Sequence, residues 1–587
     1  MWVAGALFFS LSFIFSPAGI DKFRTPKEIL LIGFSCLVLA TFLITRQLHF
    51  FKLSDRWNLV LLLTVGYTTL HVLVLARRES SLSALLNILF LLLLMLLLVE
   101  ALERSSARTL WLVAGGGVAL NACVTVFQYF SLFPLITLVS GDELSGRTTP
   151  AGFIGEVNSG GFLFALTALI SLAGVLSEEG RWRRLTWGLI LLSTLLGLIF
   201  TRTLTAVAGF GVCLTIWVIW QHWRILVKRQ GSVRWLAGFW CFLLLAGAVS
   251  FAAASRAGLT DRIAGVARQI SKGQLVSATA GRQPIFQLTW HMIVEKPLLG
   301  RGLNSFGTDF FSYRADTDIG QSVQLLNQPG AFRQTHNEYL QLWEELGLIG
   351  LLGWGGLLVA LLWQSLRAAL NAPDQAAAYW RFHLFLGLVL LAFTSLTFFP
   401  FRIGLTAAFA VLLIAGVRSE TTERAVTPPA WLSWQEKVPP ATFVVVALLT
   451  LALVGWNCLS QWQANDDTGH AAELLEVARQ RPAGRGRSVL ARQALAMLER
   501  TKRRAPFILE IDSLQGTGNF LLGRYDLAVE HYRQAAHQLP SPEGYTNLAA
   551  ALIAAREPEE ATEVLQKALR YNPKHVPAQQ ALEAIRR

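Results

Sequence analysis

Apolar residues along the first 460 positions gather into runs close to the length of a membrane crossing. Between them lie short polar connections. The runs begin with Trp2 to Phe15 and Ile29 to Ile44, continue through Leu236 to Ala253, resume at Ile349 to Leu362 and finish at Phe443 to Leu459. A spanning helix needs about 20 apolar residues and several runs are shorter, so the pattern predicts about 12–14 transmembrane helices in an all-α polytopic membrane protein. One interruption is long. Residues 254–345 form a polar stretch that carries Arg, Asn and His, whereas other connections are brief. A chain this apolar keeps such a loop for chemistry at the membrane surface.

The pattern changes again at Gln461, where charged residues rise and long apolar runs stop. Gly516, Phe520, Gly523, Tyr525, Ala528, Tyr532, Ala535 and Pro540 follow tetratricopeptide spacing. Ala549, Leu552, Ala561, Leu565, Ala568 and Pro573 repeat it, and Ala494, Leu498 and Pro506 show half of an earlier copy. Small residues at these positions let two helices approach, and Pro ends the second, so a helical solenoid is predicted from residue 465. The expected division is therefore 1–253 (transmembrane helices), 254–345 (loop with the active site), 346–460 (further transmembrane helices) and 465–587 (repeat domain).

Composition narrows the function class. Apolar residues make up 53% of the 587-residue chain, as a polytopic membrane protein requires. The net charge of +13 does not point to nucleic acid, because Lys and Arg sit mostly between apolar runs, where they set topology. No Lys or Arg precedes Lys22, which favours an uncleaved first helix over a signal peptide. The five cysteines all fall inside apolar runs without metal-ligand spacing and read as small buried hydrophobes.

With the N-terminus in the cytoplasm, cytoplasmic connections carry seventeen basic residues and the short opposite ones eight. That orientation puts the long loop and the repeats on the outer face of the membrane. Arg77, Arg78, Arg147, Arg202 and Arg402 then lie on the outer side against the topological trend, and an anionic ligand at the membrane surface gives a reason. Snorkelling at the interface is the alternative for any single one.

Within the loop, Gly281-Arg282-Gln283-Pro284 opens a helical run that stops at Lys296-Pro297. Arg282 at a helix N-terminus combines a guanidinium with free backbone N–H groups, a setting for an anion. Gly300-Arg301-Gly302 supplies a tight turn with close backbone approach. His336 is expected to begin a second helix, sharing a face with Leu340, Trp343 and Gly347, with Asn337 and Glu338 placed to orient its ring. A neutral imidazole there suits proton abstraction from a hydroxyl. Arg202, between Thr201 and Thr203 at the end of an apolar run, is a functional candidate by its depth alone.

These segments together resemble the superfamily of O-antigen ligases, O-antigen and exopolysaccharide polymerases and bacterial protein O-oligosaccharyltransferases. The resemblance rests on Arg147, Glu156-Val157-Asn158, Thr201-Arg202-Thr203, Gly281-Arg282, Lys296 to Gly302 with Asn304 and Phe306, and Gln334 to Leu340. It implies an undecaprenyl-diphosphate-linked glycan as donor, a glycan, lipid or protein as acceptor, and neither cofactor nor metal. It assigns Arg202 and Arg282 to the diphosphate, His336 to the acceptor hydroxyl, and Arg147, Asn158, Arg301, Asn304, Asn337 and Glu338 to substrate binding. The family often has Asn-Pro-Asn and Ser-Arg-Gly where this chain has Glu156-Val157-Asn158 and Thr201-Arg202-Thr203.

Ligase and polymerase share donor chemistry, and the motifs do not separate them. A transporter of lipid-linked glycan would also want outer arginines, but it should show paired, broken helices in related halves, and no such duplication is visible. An inert scaffold carrying repeats, which would offer a protein partner a groove, leaves His336 and the arginines unexplained.

Overall fold

The computed structural model describes residues 2–45, 56–76, 79–103, 106–130, 151–227, 252, 254–256, 258–274, 282–316, 334–421, 439–505, 508 and 510–587. Every regular element among them is helical, and 10 of the helices are long and apolar enough to cross a membrane. The protein is an all-α multi-pass membrane protein.

The N-terminal helices are α1 (Trp2–Leu11), α2 (Arg24–Thr45), α3 (Arg56–Leu70), α4 (Glu79–Glu103), α5 (Ala107–Tyr129), α6 (Val157–Ser177), α7 (Arg181–Thr201) and α8 (Leu204–His222). The loop contributes α9 (Leu259–Ser271), α10 (Arg282–Glu295) and α11 (Phe306–Asp316). Next come α12 (Glu338–Leu370), α13 (Gln375–Thr394), α14 (Gly404–Thr421) and α15 (Pro440–Gln480). Apolar residues in these runs face both neighbours and lipid, because with hydrocarbon outside there is no polar side to present. The core lies along α6, α13 and α14, most of whose side chains are buried.

Successive helices alternate in direction, so the two ends of the bundle differ. At one end Arg108 and Arg183 bind the Ser177 carbonyl and the Thr109 hydroxyl. At the other, Arg24 donates to the Arg402 carbonyl, Lys27 to the Phe153 carbonyl, and the Glu338 amide to the Ser395 carbonyl. This second end gathers the candidate residues.

The described residues of the loop are largely helical, and its segment 297–302 packs against α12. That helix is broken at Gly347 (φ 69°, ψ −176°), which divides a polar first turn from the membrane-spanning remainder. Into the break fits the segment 297–302, whose amides at Arg301 and Gly302 donate to the carbonyls of Glu344 and Glu345, while the Leu348 amide donates to Pro297. The close approach expected of Gly300-Arg301-Gly302 is therefore real, but its object is the α12 backbone.

The composition change at Gln461 falls inside a single helix. At 41 residues α15 extends about 60 Å, twice the hydrocarbon thickness, and so carries the chain straight out of the membrane. A loop clamps it as it leaves: Asn465 exchanges hydrogen bonds with Asp21, and Asp466 accepts from the Ser16 hydroxyl. Beyond it α16 (Arg485–Arg504), α17 (Glu510–Leu521), α18 (Tyr525–Gln538), α19 (Pro542–Ala554), α20 (Pro558–Tyr571) and α21 (Val576–Arg586) pack each on the next. Small residues make the contacts as expected: a Cβ on Gly516 would stand 2.7 Å from the Tyr532 ring, and Ala528, Ala549, Ala561 and Ala568 are fully buried. The stack also packs on the loop. Ile285, Leu288, Met292, Phe306, Phe310 and Tyr313 of α10 and α11 share one apolar cluster with α18 to α21.

Candidate active site at one end of the bundle

Helix α7 ends at Thr201, and Arg202 follows in the left-handed region (φ 56°), so the chain turns at once into α8. The Thr203 hydroxyl donates to the Val157 carbonyl at 3.1 Å, fastening the turn to α6. A non-glycine residue held there stores strain of about 1–3 kcal/mol, and such strain concentrates at functional positions. Arg202 Nη2 donates to the Gly258 carbonyl at 3.4 Å, while its buried Nε meets no hydrogen-bond acceptor among the described residues.

Arg262, from α9, completes the return contact by donating from Nη1 to the Arg202 carbonyl at 2.9 Å. Burial lowers the Arg262 pKa, and the Arg202 charge lowers it further. Arg282, the first residue of α10, is lowered by burial, with Glu156 opposing and Arg262 adding to the effect. His336 is pushed down to about 4, first by burial and then by Arg282. The four groups thus form a chain of neighbours in which each feels the next.

His336 corrects an expectation. It does not open a helix: α12 begins at Glu338 with Asn337 as its cap, and His336 precedes both with φ 57°. The shared face with Leu340, Trp343 and Gly347 does not exist. The ring is instead held edge-on against Phe399, with centroids 5.2 Å apart, and its buried Nδ1 has no hydrogen-bond partner among the described residues. Asn337 and Glu338 do not orient the imidazole. The Asn337 side chain caps the Leu340 amide at 3.0 Å, as Asn does at a helix start. Glu338 pairs with Arg402 at 3.1 Å.

Arg402 is likewise engaged within the protein, for it also grips Glu345 with two parallel contacts of 3.1 and 3.0 Å. Burial alone would lower its pKa, and the two carboxylates reverse that and raise it. Its place on this side of the bundle is explained by that pairing, without any anionic ligand.

The remaining predicted residues scatter. Asn158 donates to Glu156 at 3.3 Å, and Glu156 caps α6 through the Ser159 amide, so this corner of the site is the start of a helix. Arg301 is held by Glu295 and Asp309 and lies over the Tyr313 ring. Asn304 is exposed at a left-handed turn (φ 58°). Arg147, Arg77 and Arg78 lie outside the described residues. Arg262 was missed in the sequence because it sits on a short amphipathic helix, where a charged residue is the ordinary solvent-facing choice.

Arg202, Arg262 and Arg282 gather positive charge at this end of the bundle, with Glu156 opposing at Arg282, and an anion is the natural complement. Beside them stands an imidazole kept neutral. An anchored anion next to a neutral base is what acyl-, phosphoryl- or glycosyl-transfer to a hydroxyl requires.

The O-Antigen ligase family matches residues 189–355, from within α7 to the first turns beyond the α12 break, and this segment contains all four residues. The match covers 167 of the 587 residues and supports a relation to the O-antigen ligase superfamily. No curated protein matches the chain.

Proposed function

We propose that the protein is a metal-independent membrane glycosyltransferase that moves glycan from an undecaprenyl-diphosphate-linked donor to an acceptor hydroxyl at the periplasmic face of the bacterial inner membrane. The observation that supports this most is the convergence of Arg202 and Arg282 with a neutral His336 inside the O-antigen ligase domain.

In the reaction the acceptor oxygen attacks the anomeric carbon and the bond from that carbon to the diphosphate oxygen breaks. The leaving diphosphate takes the electron pair, and His336 takes the hydroxyl proton. Arg202 and Arg282 hold the diphosphate, where negative charge grows during bond cleavage. Glu156 moderates the cluster by partly offsetting Arg282. We assign residues 1–253 and 346–460 to the membrane bundle, 254–345 to the site-bearing loop and 465–587 to a tetratricopeptide-like domain open to a protein partner. Polymerisation of O-antigen or exopolysaccharide is the alternative within the same chemistry.

The test is transfer by the full-length protein in nanodiscs, with polyprenyl-diphosphate-linked glycan and lipid or glycan acceptors. Transfer with release of polyprenyl diphosphate supports the reading. Donor movement across the bilayer without release would replace it with transport.

A further inference from the structure

We propose that Arg262 is a third cation of the donor site and matches it to a diphosphate in preference to a monophosphate. This rests on the donor site proposed above. Helix α9 runs from Leu259 to Ser271 with an αL glycine, Gly258 (φ 69°), before it. Leu259 is buried at its start, whereas Ile263 and Ile270 are exposed on the same helical stripe. Such a short amphipathic helix cannot bury its apolar side in the bundle and is suited to lie along the membrane surface. From it the exposed Arg262 donates to the Arg202 carbonyl, and its charge acts on Arg282. It is the residue that links the two arginines.

Charge counting gives Arg262 its role. A glycan-bearing polyprenyl diphosphate is a diester with two negative charges, and loss of the glycan leaves a third charge partly developed on the departing oxygen. Arg202, Arg282 and Glu156 alone sum to one positive charge, one short of the bound diester, and a free diphosphate carries a further charge that a monophosphate lacks. With Arg262 the sum is two, equal to the charge of the bound diester. An arginine presents a fork to two oxygens, so a guanidinium on each side of the bridging oxygen is also geometrically apt. The hydrogen bond from Arg262 to the Arg202 carbonyl leaves its other guanidinium N–H groups to face a ligand.

A purely structural Arg262, serving only to hold the Arg202 turn, would affect every ligand of the site alike. The discriminating measurement is selectivity. Full-length protein in nanodiscs is titrated with undecaprenyl diphosphate and with undecaprenyl monophosphate, for the native chain and for Arg262→Gln, Arg262→Lys, Arg202→Gln and Arg282→Gln. Arg262→Gln is expected to weaken diphosphate binding about tenfold or more and monophosphate binding less than about threefold, a difference of about 0.7 kcal/mol or more. Arg262→Lys should restore part of the preference, since it keeps the charge and loses the fork. Equal weakening of both lipids, or no weakening, overturns the proposal. If Arg202→Gln and Arg282→Gln also leave diphosphate binding intact, the donor site itself is wrong. If they abolish it while Arg262→Gln does not, only the role of Arg262 fails. Thermal unfolding of each variant separates loss of binding from loss of fold.

Discussion

Arg282 stands close enough to His336 for its charge, added to burial, to hold the imidazole near pKa 4. A base that weak is a poor proton acceptor, since catalytic groups work best with a pKa near the operating pH. A bound dianion would offset Arg282 and let the imidazole rise toward its ordinary value of about 6.5. The anchor and the base would then be coupled, the base gaining strength only when donor is present. Accordingly kcat/KM, which reports the free enzyme, should fall in acid with a pKa near 4, while kcat should fall at a clearly higher pH. Identical acid limbs for the two parameters would remove the coupling. His336→Ala should lower transfer by about 10² to 10⁴-fold while leaving donor binding intact.

The same depressed pKa has a stability consequence. The folded protein binds this proton less readily than the unfolded chain, so unfolding takes up a proton wherever the two differ. The stability held above pH 6.5 is lost as pH falls through the unfolded value toward about 4. His336→Gln should therefore flatten the acid side of a plot of Tm against pH between 6.5 and 4. An unchanged slope would mean that His336 does not differ between the two states.

Gly347 is predicted to be irreplaceable for reasons of backbone alone. Its φ of 69° disfavours any side chain, and a Cβ there would lie 2.1 Å from the Leu298 carbonyl oxygen. Gly347→Ala should cost several kcal/mol by combining strain of about 1–3 kcal/mol with displacement of the segment 297–302. Gly355→Ala, on the same helix with nothing within 4 Å of its Cβ, is the control and should be tolerated. Protein yield and Tm of the two variants decide it.

Much of this was legible in advance, and the failures share a cause. The all-α membrane fold was legible because a membrane imposes one length and one polarity on every crossing. Among the described residues 10 spanning helices appear against the 12–14 expected, and residues 236–251 of one expected run lie outside them. Arg202 was picked out as a charge at the end of an apolar run, and Arg282 and His336 as candidates within a long polar loop. Arg262 was not, since on an amphipathic surface helix a cation is unremarkable. The break at Gly347 was hidden by continuous helical periodicity on both sides, and only backbone contact with Gly300 shows why it exists. Glu338 looked like a partner for His336 because they are neighbours in sequence. Its true partner, Arg402, lies sixty-four residues away, a distance that spacing rules do not cover. The continuity of α15 was obscured by the fact that composition follows the surroundings, lipid then water, and not the helix.

Arg402 yields a stability prediction and not a catalytic one. It lies between two carboxylates, and Glu345 is fully buried. Removing the cation from such a pair typically costs about 3–5 kcal/mol because the charge left behind is uncompensated. Arg402→Met should therefore lower Tm strongly, and adding Glu345→Gln should recover part of the loss. If Arg402→Met folds with native Tm and loses only transfer, the residue belongs to the substrate site after all.

The last prediction concerns why a glycosyltransferase loop should bear a stack of helices. Phe306 and Phe310 of α11 are fully buried in the cluster shared with α18 to α21, and Met292 and Leu288 of α10 join them. Arg282 begins α10, so the helix that carries this proposed anion anchor packs against the C-terminal stack. A buried Phe cut to Ala typically loses about 3–5 kcal/mol, here at an interface between two parts of one chain. Phe310→Ala should loosen that interface, raise deuterium exchange in α10 and α20 together, and weaken donor binding while the membrane bundle keeps its Tm. Ala substitution at Leu527, which is exposed on the stack, should do none of this. If exchange rises in α20 alone and donor binding is unchanged, the stack is only a passenger on the loop, and α10 is positioned entirely by its contacts with α12.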